Sequence, residues 1–236
     1  MADEKVEVII VGGGLAGLTA GVVLARAGAE VLLIERGTYC GAKNMTGGKL
    51  YSHSLEKVFP NFPEDGPFER RITHEEVYSL GAETIEACEC TAGHPDNGSA
   101  AYAVLRAKLD AWLGEQAEEE GVMLIQNILV DSLIVEDGRV CGVVTGDERM
   151  LADIVILADG VNSLLAQSIG LRPELDPEYS CVGVKEVISL GEAVVNERFG
   201  ITSEEGVERM YIGNREEGQL ADGFVYSDRD SVCCVV

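Results

Sequence analysis

Residues 6–17, VEVIIVGGGLAG, set an apolar run directly before Gly12-x-Gly14-x-x-Gly17, an order that few folds accommodate. A short run dominated by Val and Ile suits a strand buried on both faces of a parallel sheet. The glycines then have separate tasks. Gly12 allows a tight turn, Gly14 lets the chain approach a pyrophosphate, and Gly17 lets helix and strand pack closely. Residues 15–27, LAGLTAGVVLARA, read as a helix rich in small residues that stops at Gly28. Its N-terminus, with Ala16 in the first turn, offers free N–H groups and a positive dipole to an anion. A second strand, 30–34, ends in Glu35, and Arg36 follows. A carboxylate about 20 residues after the last glycine is placed to accept hydrogen bonds from ribose. The motif therefore implies a dinucleotide, without choosing between NAD and FAD.

The charge balance narrows the partners. Lys and Arg total 18 against 41 Asp and Glu, a formal charge of −23 in 236 residues. No basic stripe exists, so nucleic acid is not an expected partner. The acidity fits either a solvated surface or a docking face for basic proteins. Export is not expected, because MADEKVEVII is acidic where a signal peptide is basic. No apolar run reaches the roughly 18 residues of a membrane span. Seven cysteines, including Cys88-Glu89-Cys90 and Cys233-Cys234, lack zinc or redox spacing. Reduced thiols in a cytoplasmic protein without a metal site are expected. Asn44-Met45-Thr46 and Asn97-Gly98-Ser99 have the form of glycosylation acceptors, but without export they stay unmodified.

The middle of the chain continues the α/β pattern. Residues 105–120 set Leu105, Leu109, Trp112, Leu113 and Ala117 along one helical face. Arg106 in its first turn opposes the helix dipole unless it meets an anion; a pyrophosphate or an ordinary ion pair would serve. Strands are expected at 122–126, 128–136 and 139–145, the last two joined by a hairpin at Asp137-Gly138. Another buried strand, 153–158, runs into Asp159-Gly160, at the carboxyl end where open α/β sheets bind ligands. Asn162 or Ser163 could cap the helix after it, about 164–169. His53, His74 and His94 stand in no motif, so surface or hydrogen-bonding roles are expected.

Taken together, GxGxxG, the strand-ending Glu35, the LRxxLDxxL helix and the ADGxxS turn resemble the glutathione-reductase-type FAD fold of flavoprotein monooxygenases and geranylgeranyl reductases. The loop GAKNMTGGKLYSHSLEKVFPNF, with ERRITHE and VGVKE, narrows this to the FixC family, related to electron-transfer-flavoprotein:quinone oxidoreductases. The resemblance implies FAD as cofactor, with Gly12, Gly14, Ala16 and Gly17 at the pyrophosphate and Glu35 and Arg36 near the ribose. It also implies Lys43, Asn44 and Gly47 near the flavin or pyrophosphate and Arg106 at the diphosphate. Val130 would lie near the adenine, and Asp159 and Gly160 at the pyrophosphate and ribityl. The monooxygenase form of the last turn carries an arginine where this chain has Ala166, which favours the quinone-oxidoreductase branch.

The fold class implied is α/β: a Rossmann-like FAD domain with a partial β-rich substrate domain. The FAD domain is expected from 1–70 plus 100–175, discontinuous, and the substrate or quinone domain from 71–99 plus 176–236. The family's second FAD motif has no counterpart, so the chain is expected to be truncated at its C-terminus. The implied donor is a two-subunit electron-transfer flavoprotein, with a small ferredoxin-like protein nearby and a quinone or ferredoxin as acceptor. Quinone use would bring peripheral contact with the inner face of the membrane. Two alternatives stay open: reduction of isoprenoid double bonds, and a non-catalytic FAD-binding remnant. Simple electron transfer needs no acid or base, and no catalytic residue is assigned.

Overall fold

The apolar N-terminal run forms β1 (Lys5–Val11), and the chain turns at Gly12 into α1 (Leu15–Arg26) and β2 (Val31–Ile34). The computed structural model describes residues 5–45, 47–80, 85–91, 100–180, 182–213 and 222–236; Thr46, His94, Asn97-Gly98-Ser99 and Cys181 lie outside them. Next come β3 (Gly47–Tyr51), α2 (Phe62–Asp65), β4 (Phe68–Leu80), β5 (Ile85–Thr91) and β6 (Ala101–Leu105). They are followed by α3 (Arg106–Glu119), β7 (Met123–Ile125), β8 (Ser132–Glu136), β9 (Arg139–Thr145), β10 (Glu148–Leu157) and α4 (Leu164–Ser168). The last stretch holds β11 (Lys185–Ser189), α5 (Glu192–Phe199), β12 (Gly206–Gly213), β13 (Gly223–Ser227) and β14 (Ser231–Val235).

These elements form two units, Met1–Asn44 with Ala107–Cys181 and Met45–Arg106 with Val182–Val236. Residues 45–70, grouped with the FAD-binding segment in the sequence reading, lie in the second unit. Strand pairing explains the placement: β3 pairs β6 antiparallel, and β6 pairs β4.

In the first unit the strand order among the described residues is β7-β2-β1-β10-β9-β8. β7, β2, β1 and β10 are parallel, and β9 and β8 extend the sheet antiparallel. Helix α1 buries Gly17, Leu18, Gly21 and Val22. Leu18 and Val22 are fully covered, contributing roughly 1.5–3 kcal/mol each. Helix α3 buries Leu109, Leu113 and Ala117 at four-residue spacing, whereas Leu105 ends the preceding strand. The Asp137-Gly138 turn has φ of 50° and 76°, as a two-residue hairpin of the primed type requires. The strand expected over 128–136 starts only at Ser132, because Asn127 takes a left-handed φ of 61° and redirects the chain.

The second unit is a sheet ordered β11-β14-β13-β12-β4-β6-β3 among the described residues, with β5 also on β4. β4 and β12 pair in parallel, the neighbouring pairs antiparallel. Ile72, Ala101, Ala103, Tyr226 and Cys233 form its core cluster. Tyr102 meets Phe62 edge-on at 5.7 Å and Phe68 at 4.6 Å, pinning α2 to the sheet. Arg70, buried in β4, donates to the carbonyls of Thr202, Glu205, Asp228 and Arg229 and to Asn196 Oδ1.

Asp228 in this unit is wholly buried and accepts from the Cys233 thiol at 2.9 Å and from Ser231 Oγ at 3.3 Å. Burial lifts its carboxyl from an ordinary 3.8 to about 6, with Glu69 adding to the rise and Lys185 opposing it. A folded-state pKa above the unfolded one means that stabilisation is present below pH 4 and is lost as pH rises through 6. Two pH units correspond to about 3 kcal/mol. Asp228→Asn mimics the protonated form. Its stability relative to the parent chain should therefore rise by up to about 3 kcal/mol between pH 4 and pH 7. Urea unfolding at both pH values checks this, and a gap that does not move with pH would contradict it.

Candidate dinucleotide-binding site

Three parallel strands end in register. Val11 pairs with Ile34 of β2 and with Leu157 of β10, so Gly12, Glu35 and Ala158 emerge side by side at one sheet edge. Backbone bonds fix that edge, from Gly12 N–H to the Ile34 carbonyl at 2.9 Å and from Ala158 N–H to Val11 at 2.8 Å. Gly12 has φ +112°, and a Cβ there would stand 2.3 Å from the Ala158 carbonyl oxygen. A Cβ on Gly17 would stand 2.0 Å from the Gly12 carbonyl. Only glycine fits either position, as the motif implied.

The Glu35 carboxylate is held by backbone. Its Oε2 accepts from Gly13 N–H and its Oε1 from Gly37 N–H, both at 2.6 Å. Two acceptor sites per oxygen leave lone pairs for diol hydroxyls without giving up either amide. On the other side, Glu35 N–H bonds the Ile125 carbonyl, Ile128 N–H bonds Glu35, and Asn127 N–H bonds Gly37. The chain leading to the buried Val130 is thereby zipped along the carboxyl end of β2. Val130 itself precedes β8 rather than lying in it. Gly14 is the N-cap of α1, with no side-chain cap and no acidic residue in the first turn. Ala16 is exposed in that turn, and Arg36 is exposed beside Glu35.

The DG turn is built differently from its expected cap. Asp159 Oδ2 accepts from Leu165 N–H at 3.0 Å, so Asp159 caps α4. Ser163, at φ +46°, instead donates its hydroxyl to the Gly160 carbonyl at 2.6 Å and receives Arg172 Nη1 at 2.6 Å. Neither Asn162 nor Ser163 caps the helix by its side chain, because the hydroxyl turns back along the chain. Gly160 has φ +81° with nothing within 4 Å of an added Cβ, leaving its backbone open to an approaching group.

Lys43 is exposed in the turn after β2, whereas the Asn44 amide donates to Asp110 Oδ2 of α3. Asp110 had stood in the LRxxLDxxL pattern without a role, and its separation from Asn44 in sequence hid the pairing. Arg106 opens α3 and is engaged by neighbours. Gly47 begins β3 in the second unit, where a Cβ would stand 2.5 Å from Tyr226 Oη and 2.6 Å from Lys185 Nζ. Cys40 is buried against Gly13, a contact that no local sequence pattern signals. Burial, followed by the carboxylates of Glu35, Asp110 and Glu118, pushes its thiol up to about 12, so it packs as a neutral group.

The glycine cradle, the free helix start and the amide-held carboxylate fit the diphosphate and ribose of a dinucleotide. A sequence profile described as FAD dependent oxidoreductase matches residues 7–168. The chain belongs to the FAD-dependent oxidoreductase family. FAD is accordingly the cofactor that Gly12, Gly14, Gly17 and Glu35 fit. The chain is 46% identical over 233 residues to YdiS of Escherichia coli K12, named a probable electron transfer flavoprotein-quinone oxidoreductase; the match covers 98% of the chain and 54% of YdiS. It is 45% identical over 236 residues to Protein FixC of Salmonella typhi, covering 98% of the chain and 54% of FixC. The chain thus spans about half the length of these curated relatives. In fold it is similar to a geranylgeranyl bacteriochlorophyll reductase-like protein from Thermoplasma acidophilum, with a TM-score of 0.76 and 20% identity over 99% of this chain and 56% of the other. It is also similar to CtdE, solved in complex with FAD, with a TM-score of 0.70 and 19% identity over 98% of this chain and 59% of CtdE.

Proposed function

We propose that the first unit binds FAD along the Gly12–Glu35–Ala158 edge, and that the protein passes electrons from an electron-transfer flavoprotein to a quinone or ferredoxin-type acceptor. The observation that carries the cofactor half is the Glu35 carboxylate, fixed through both oxygens beside the glycine turn. Bound FAD supplies reversible electron transfer, which needs no acid or base from the protein. The chain's own residues hold and orient. The α1 start and Gly14 face the diphosphate, Glu35 and Arg36 the ribose, and the Gly160 backbone and Lys43 the remaining phosphate and ribityl oxygens. Val130, Ala16, Asn44 and Asp159 complete or shape that surface, and Arg106 and Gly47, which lie in the second unit, are assigned to the cofactor by the resemblance alone.

The relatives at 45–46% identity support electron transfer over saturation of isoprenoid double bonds, for which the likeness is one of fold. A small ferredoxin-like partner and a cytoplasmic location, peripheral at the inner face of the membrane when a quinone is used, belong to the same reading. No helix among the described residues is long and apolar enough to cross a membrane. Reconstitution with FAD should give flavin absorption bands that stay with the protein through gel filtration. Glu35→Ala should weaken FAD binding by roughly 10- to 100-fold, as lost charge-assisted hydrogen bonds imply. Unchanged affinity would remove Glu35 from the site. Quinone reduction driven by a reduced electron-transfer flavoprotein tests the remainder.

A further inference from the structure

The turn between β2 and β3 is seated on one face of α3. Gly41, at φ +93°, lies so close that an added Cβ would stand 2.9 Å from Asp110 Cβ and 3.1 Å from Ala107. One turn further along the helix, Cys40 Sγ lies 3.4 Å from where a Cβ on Gly114 would be. On its other side, the same sulfur is 2.7 Å from the position of a Cβ on Gly13. Residues 40 and 41 are thus held between α3 and the dinucleotide turn, with glycine wherever they touch. Packing of this kind fixes distance but not the turn's rotation; a directional bond must do that. Asp110 is fully buried, and its Oδ2 accepts from the Asn44 amide at the far end of the turn. A buried carboxylate costs stability unless hydrogen-bonded, and the Asn44 amide supplies one of the bonds that Asp110 needs.

We propose that Asp110 is a positioning residue of the FAD site: through Asn44 it locks the 40–44 turn onto α3 and so holds Cys40 against Gly13 and Lys43 at the site edge. The proposal rests on the FAD reading above. Its consequence is that Asn44 acts on the cofactor indirectly, as the partner of Asp110. Loss of either partner frees the same turn, so the two losses are not additive.

Four variants of the 236-residue chain test this: Asn44→Ala, Asp110→Ala, the two together, and the exchange Asn44→Asp with Asp110→Asn. Amide hydrogen exchange at residues 41–45 should speed up about tenfold in each single variant and return toward the parent rate in the exchanged pair. FAD affinity should fall about tenfold in each single variant, no further in the double alanine variant, and recover in the exchanged pair. Asp110→Asn, which keeps an acceptor oxygen, replaces Asp110→Ala if the latter does not fold, and should change exchange and affinity by less than threefold. Unaltered exchange in the single variants overturns the lock, whatever the flavin does. Faster exchange with unchanged FAD affinity overturns the positioning role, as do additive losses. A parent chain that takes up no FAD overturns the FAD reading itself, and is told apart because the unmutated protein then fails too.

Discussion

Gly17→Ala is expected to abolish stoichiometric FAD uptake and to lower the free energy of unfolding by roughly 2–4 kcal/mol. The new methyl would stand 2.0 Å from the Gly12 carbonyl oxygen and 3.3 Å from Ala158 Cβ. The nearest obstacle is backbone, so no side chain can swing aside. Gly12 cannot retreat either, since it is bonded to the Ile34 carbonyl and backed by Ala158. Helix α1 would have to withdraw from the end of β1, carrying its unpaired amides away from the phosphate position. Gly21→Ala on the same helix is the matched control. There the atoms nearest an added Cβ are side-chain atoms, Val122 at 3.4 Å and 3.6 Å and Ile10 Cδ1 at 3.7 Å. That change should be neutral, or stabilising by up to about 1 kcal/mol through helix propensity. Urea unfolding and FAD titration of the pair decide the matter. Equal behaviour of Gly17→Ala and Gly21→Ala would show that the close approach at the glycine turn does not govern binding.

Arg70→Met should destabilise the second unit by about 3–5 kcal/mol, the largest single-residue effect expected outside the FAD site. The guanidinium joins β4 to three separate places: Asp228 and Arg229 in the β13–β14 turn, Thr202 and Glu205 before β12, and Asn196 on α5. Burial lowers its pKa, opposed by the nearby Glu192 carboxylate. Methionine fills similar volume but leaves four carbonyl oxygens and an amide oxygen without their donor. Arg70→Lys should recover little, because an ammonium offers three donors from one point where a planar fork supplies five. Chemical unfolding and the exchange rates of β12 amides measure the loss; a change below 1 kcal/mol would mean that water replaces the guanidinium at little cost.

The parts of this fold legible in sequence are those governed by short-range rules. A Val/Ile run, three glycines and a carboxylate at fixed spacing define β1, α1 and β2, because each answers to its immediate neighbours. The Asp137-Gly138 hairpin is equally local, since positive φ at both positions is a property of the dipeptide. Where sequence and structure part, a distant residue intervenes. The strand over 128–136 shortens because the chain at Asn127 and Ile128 is tied to Gly37 and Glu35, just after β2. Closer at hand, Asp159 Oδ2 takes the capping role expected of Asn162 or Ser163, because Leu165 N–H lies within reach. The bond from Asn44 to Asp110 is likewise invisible in sequence, because it forms only when α3 folds back onto the 40–44 turn. The second unit was the least legible, because its central pairing is the parallel contact of β4 with β12, which no local pattern encodes.

Parallel pairing between strands far apart in sequence also sets an order of assembly in both units. Lys5 of β1 lies opposite Leu151 of β10, and Ile72 of β4 opposite Gly206 of β12. At translation rates of roughly 5–20 residues per second, β1 leaves the ribosome about 7–30 s before β10 can reach it. β2 can pair one edge of β1 in that interval, while the other edge stays open. An apolar strand with a bare edge invites other strands, so the same run that defines the cofactor fold is open to mispairing until β10 arrives. Synonymous codons that slow synthesis between residues 35 and 150 should lower soluble yield without altering the finished protein.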